Sequence, residues 1–175
     1  MADGIVNEWI APAFAALAAI AASVTASVNY LQARRMRATL RAQLSLDLEK
    51  AFFRDTTMIK NRKAVAEAVK TSSNNDPAMR EVVAFLDTVG MLVRLKLIND
   101  GLAFHNFGRF AVFYQACCES YIVRKREHAT EAWNDLDYLI ERMNRYMARK
   151  QHAKPTKGTR LYIQMLDDES SLQSA

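Results

Sequence analysis

Residues 9–33 read WIAPAFAALAAIAASVTASVNYLQA, with no Asp, Glu, Lys or Arg between Glu8 and Arg34. An α-helix rises about 1.5 Å per residue, so about 20 residues cross the ~30 Å hydrocarbon core of a bilayer. The run therefore predicts a single transmembrane helix. Its flanks agree. Trp9 and Tyr30 stand near the two ends, where amphipathic rings favour the headgroup level, and Arg34, Arg35, Arg37 and Arg41 follow directly. Only Asp3 and Glu8 precede the run. The positive-inside rule then places the N-terminus outside and residues 34–175 in the cytoplasm, as in a single-pass membrane protein.

The stretch is modest as a span. Nine of residues 10–30 are Ala, and Ser23, Thr25, Ser27 and Asn29 are polar. The strongly apolar Ile10, Phe14, Leu17, Ile20, Val24 and Val28 contribute only about −2 to −4 kcal/mol to insertion. The competing readings are a cleaved signal peptide and a buried or oligomerising helix. The first is disfavoured by an acidic N-terminal flank and an apolar run longer than signal peptides carry. Small residues recur every fourth position in Ala15-Ala19-Ser23-Ser27, a pattern that lets membrane helices approach closely, so self-association through this helix is a further expectation.

The remainder is expected to be all-α, a cytoplasmic bundle of four to five helices. The chain of 175 residues has only 5 Gly and 3 Pro, and its apolar positions repeat at helical spacing. Residues 34–55 read as a juxtamembrane helix continuing the anchor, with Leu40, Leu44, Leu48 and Phe52 on one face. The bundle is expected over 56–150. It holds a helix from Thr56 or Thr57 to about Lys70 and one over 77–98, started by Asp76 and Pro77 and ended near Gly101. An aromatic central helix follows over 102–127, then one over 131–150. Gly108 is expected to admit a neighbouring helix. Residues 151–175 read as a partly flexible tail, basic and then acidic, with Leu161-Tyr162-Ile163 able to dock back.

The block Phe85-Leu86-Asp87-Thr88-Val89-Gly90, then Leu97-Ile98-Asn99, Phe104, Phe107-Gly108, Phe113-Tyr114 and Arg124 resembles a bacterial family known as domain of unknown function 4760. The resemblance covers about residues 30–145. It implies one N-terminal membrane helix followed by a small helical cytoplasmic domain, and no activity. A Trp is expected in the aromatic pair at 113–114, and this chain departs there.

Candidate chemistry is sparse. His105, His128 and His152 are too scattered for a metal site, and no phosphate-cradling or nucleophile motif occurs, so no cofactor is expected. Cys117 and Cys118 are adjacent on a helix, poorly placed to bond each other, and read as buried packing. Asp87 falls beside an apolar stripe and needs a partner, with Arg94, Arg109 and Arg124 as candidates for a structural ion pair. From Arg142 to Arg160 there are Arg142, Arg145, Arg149, Lys150, Lys154, Lys157 and Arg160 with no acid, a face suited to anionic lipid; Tyr146 is the one Phe, Trp or Tyr among these charges, which disfavours nucleic acid. Net charge is +5; residues 1–41 hold four Arg, Asp3 and Glu8, and without them 20 basic and 17 acidic residues leave +3.

These features suggest a non-catalytic, membrane-anchored module whose partners are membrane lipid and an unidentified protein. The alternatives are a soluble or peripheral helical effector, and an enzyme built around Asp87 and the basic face.

Overall fold

The computed structural model describes residues 3–173, with side chains for Ala15, Ala19 and everything from residue 21 onward. Among the described residues there are seven helices and no strand. The first, α1 (Asp3–Phe53), is continuous through the uncharged run and the arginines after it. Residues up to Ala42 form one compact unit and those from Gln43 a second.

In the first unit every described side chain is exposed, including Val24, Val28, Tyr30 and Leu31. Trp9 lies outside the described side chains. Among the described residues no helix is long and apolar enough to cross a membrane. From residue 21 onward the helix carries Ser23, Thr25, Ser27 and Asn29, and then the arginines, which dilute its apolar surface.

The second unit is built on helix signals that are mostly visible in the sequence. Helix α2 (Thr56–Lys70) is capped by Asp55 rather than by Thr56 or Thr57, because the Asp55 carboxylate and not a threonine hydroxyl accepts from the free Met58 N–H, at 2.8 Å. Likewise Asn75, not Asp76, caps α3 (Asp76–Arg94), with Pro77 in its first turn. Helix α3 stops before Gly101. Lys96 takes a left-handed φ of 57°, and the N–H groups of Lys96 and Leu97 turn back to Val93 and Leu92, which satisfies the last carbonyls.

The expected aromatic helix over 102–127 is two helices, α4 (Asp100–Cys117) and α5 (Glu119–Arg126), bent at Cys118 so that Tyr121 and Ile122 enter the core. Helix α6 (Asn134–Lys150) begins three residues later than expected. Trp133 stands before it with a left-handed φ of 67° and no cap of its own. The expected flexible tail holds a seventh helix, α7 (Arg160–Ser170). The bundle after α1 thus has six helices rather than four or five.

Helix α3 packs most extensively, chiefly on α6, and shares the centre with α4. Phe52, Phe85, Phe107 and Tyr114 meet edge-on or stacked within 6.2 Å, so the last turn of α1 is sealed into the core of the second unit.

Candidate functional site

Asp87, Gly90 and Arg94 lie at i, i+3 and i+7, one face of α3, and all three address the first turn of α6. The Asp87 carboxylate accepts from the Leu136 N–H at 2.8 Å. It serves as the N-cap that Trp133 does not supply. Gly90 makes room: a Cβ there would lie 2.0 Å from the Asp135 carbonyl oxygen. Arg94 clamps the Asp135 carboxylate from the outside, at 2.5 and 3.1 Å.

Among the described residues Asp87 therefore has no arginine partner. Arg94 pairs with Asp135, Arg124 with Asp76 at 2.6 Å, and Arg109 is exposed. The expected ion pair is replaced by a charged cap, because backbone N–H groups at a helix start already satisfy a carboxylate. Burial pushes the Asp87 carboxyl above its usual range and nearby Asp135 and Asp137 add to this, against the hydrogen bond from Leu136. Asp87→Ala should cost about 1–2 kcal/mol of stability, whereas Asp87→Asn, which keeps the acceptor, should stay within about 0.5 kcal/mol of wild type in urea unfolding at pH 7.

A second polar cluster was not visible in the sequence. Arg62 and Glu169 are 3% and 4% exposed and bridge α2 to α7. Arg62 donates through Nε and Nη2 to the two Glu169 oxygens, at 2.9 and 2.5 Å, and through Nη1 to the Phe52 carbonyl at 2.9 Å. The Tyr114 hydroxyl also donates to Glu169. The guanidinium lies over the Phe52 ring at 4.5 Å and near those of Phe53 and Phe110 at 5.1 and 5.4 Å. Burial lowers and the Glu169 side chain raises the Arg62 pKa, with a net rise, so the guanidinium stays charged despite its burial. From sequence Glu169 belongs to a solvated acidic run. Its only signal is its position seven residues after Tyr162, the spacing of one helical face.

The basic run resolves unevenly. Arg142 pairs with Asp100, Arg145 with Glu141, and Lys157 with Glu119 at 2.8 Å. Arg149, Lys150, Lys154 and Arg160 are exposed and form no salt bridge among the described residues. Arg34, Arg35, Arg37 and Arg41 are exposed too. An open cavity of about 350 Å³ lined by Phe104, His105, Arg109, Phe110 and His152 holds another exposed cation, Arg109. Among the described residues no group of His, Cys, Asp or Glu converges on a possible metal position.

Cys117 and Cys118 are buried and unbonded, and Cys117 Sγ sits 3.5 Å from the Tyr162 hydroxyl. Burial pushes the Cys117 thiol from 9.0 up to about 12 and raises Cys118 as well. Burial also raises the phenols of Tyr114 and Tyr162, aided by the Glu169 charge and the Cys117 hydrogen bond respectively. These are acids whose neutral form is favoured by folding. Their stabilising contribution is whole below the unfolded pKa and is lost as pH rises towards the folded one. The urea midpoint should therefore hold up to about pH 9 and fall between about pH 9 and 12, and Cys117→Ala should soften the early part of that fall.

The geometry defines an all-α bundle domain whose helices are joined by the Asp87 cap and the buried Arg62–Glu169 pair. The chain belongs to the family described as domain of unknown function DUF4760, which it matches over residues 12–143. No curated protein and no solved structure matches it. Arg62, Tyr114 and the α3–α6 joint lie inside the matched span, and α7 lies beyond it.

Proposed function

We propose that the protein is a non-catalytic, membrane-anchored interaction module, with the 9–33 segment in the inner membrane of a bacterium and the bundle at its cytoplasmic face. The observation that carries this reading is the state of α1. Its hydroxyls at Ser23, Thr25 and Ser27 each donate to the carbonyl four residues earlier, at 2.8 Å, so these three hydroxyls are satisfied within the helix itself. Such back-bonding is how hydroxyls are accommodated where no water is available. The same segment presents Val24, Val28 and Leu31 outward, and an arginine cluster follows. That cluster would bind anionic headgroups, at about 1 kcal/mol per residue. Arg149, Lys150, Lys154 and Arg160 extend the lipid-facing reading to the second unit. The non-catalytic reading rests on Asp87, Arg94, Arg124 and Arg62, each already engaged by a helix cap or an ion pair.

Alkaline carbonate extraction of membranes tests this reading, comparing the full chain with one lacking residues 1–33. The full chain should stay in the pellet and the shortened one should be released. Release of both would favour the second reading, a peripheral effector whose α1 pairs with α1 of another copy through Ala19, Ser23 and Ser27, three small exposed residues in one row.

A further inference from the structure

We propose that the groove formed by α2 and α4 is a helix-recognition site, filled in this structure by the chain's own α7. The partner it fits in trans is an acidic amphipathic helix carrying an aromatic anchor and a glutamate seven residues later. The inference deepens the interaction-module reading by naming its surface.

Helix α7 has the form of a ligand. Tyr162 and Glu169 are buried, Met165 and Leu166 are half-buried, and Ile163, Gln164, Asp167 and Asp168 are exposed. The inward residues stand at i, i+3, i+4 and i+7, the spacing by which an amphipathic helix seats in a groove. Each anchor meets a prepared partner. Tyr162 packs on Phe113, with ring centres 5.3 Å apart, and touches Cys117. Glu169 meets Arg62, whose orientation is set independently of α7 by the Phe52 carbonyl and the phenylalanine rings around it. Two donors of its fork are thus aimed at whatever occupies the groove, an arrangement suited to a carboxylate. At the rim Lys70 holds Asp167 and Ser170, both at 2.7 Å.

The groove falls within the family match and its occupant falls outside it. Arg62, Phe113, Tyr114 and Cys117 lie within the family match at 12–143, and α7 does not. A non-helical connection over residues 151–159 joins α7 to α6. A tether that short holds α7 at an effective concentration of about millimolar, so a competing helix enters only when α7 is weakened or the competitor is concentrated.

The test uses the full chain in detergent micelles and a fluorescent peptide of residues 159–172. Two chains are compared with wild type: one carrying Tyr162→Ala and Glu169→Gln, and one carrying Leu166→Ala alone. The second loosens α7 while leaving the Arg62 pair intact, and so serves if the first does not fold. Either folded variant should bind the peptide at least about tenfold more tightly than wild type does, and a peptide with Glu169→Gln should bind about tenfold more weakly. A folded variant that binds no better than wild type, or that binds both peptides equally, overturns the proposal. The carbonate extraction is unaffected by these changes, so anchor and groove stand or fall separately.

Discussion

Glu169→Ala should destabilise the bundle by about 3–5 kcal/mol in urea unfolding, as much as truncating a fully buried phenylalanine. The change leaves the Arg62 guanidinium without its counter-charge beneath α7, and it removes the acceptor of the Tyr114 hydroxyl. Arg62→Ala should cost a comparable amount, since it strands Glu169 and the Phe52 carbonyl. The pair is not expected to be strongly stabilising overall, because burying two charges costs nearly what their attraction returns. Arg62→Met combined with Glu169→Leu should therefore lose much less than the sum of the two single changes. A coupling below about 0.5 kcal/mol in that double-mutant cycle would show that Arg62 and Glu169 act separately.

Gly90→Ala should cost about 3 kcal/mol or more, at the upper end of overpacking losses. A methyl at Gly90 would lie 2.0 Å from the Asp135 carbonyl oxygen and 2.6 Å from its carbon. Those atoms are backbone at the start of α6, so relief requires moving the whole helix away from Asp87 and Arg94. Gly108→Ala is the contrast. Its methyl would meet the Phe104 ring at 2.6 Å, within the same helix. A side chain can turn aside, and Ala favours the helix by about 1 kcal/mol over Gly, so the change should be within about 1 kcal/mol of neutral. Gly108 was expected to admit a neighbouring helix; Gly90 is the residue that does so, because only there does a second backbone arrive.

The same two glycines illustrate what the sequence reveals. Apolar spacing was enough to locate α3 and α6, since Val82, Leu86, Val89 and Val93 on one and Leu136, Ile140, Met143 and Met147 on the other are all buried, although Leu97, which continues the first stripe, is exposed beyond the end of α3. Which glycine lies at a crossing depends on the partner helix, and nothing local records that. The bend at Cys118 is similarly silent, because the residues around it are helix-compatible on both sides. The block from Phe85 to Gly90 that carries the family resemblance proves to be packing: Phe85 joins the aromatic cluster, Leu86 and Val89 fill the core, Asp87 caps α6 and Gly90 lets it approach. Helix α7 was missed for a different reason. Its acidic run reads as solvated, and the arginine that buries one of those acids stands far away in the chain.

That distance has a consequence for the order of events in synthesis. Arg62 and Glu169 are 107 positions apart. At about 5–20 residues per second, a ribosome needs roughly 5–20 s to travel from one codon to the other. Throughout that interval α2, α3 and α4 can begin to assemble around an arginine that has no counter-charge. The contact that joins α2 to α7 therefore closes only once α7 has been made, and until then the Arg62 guanidinium stays without its carboxylate.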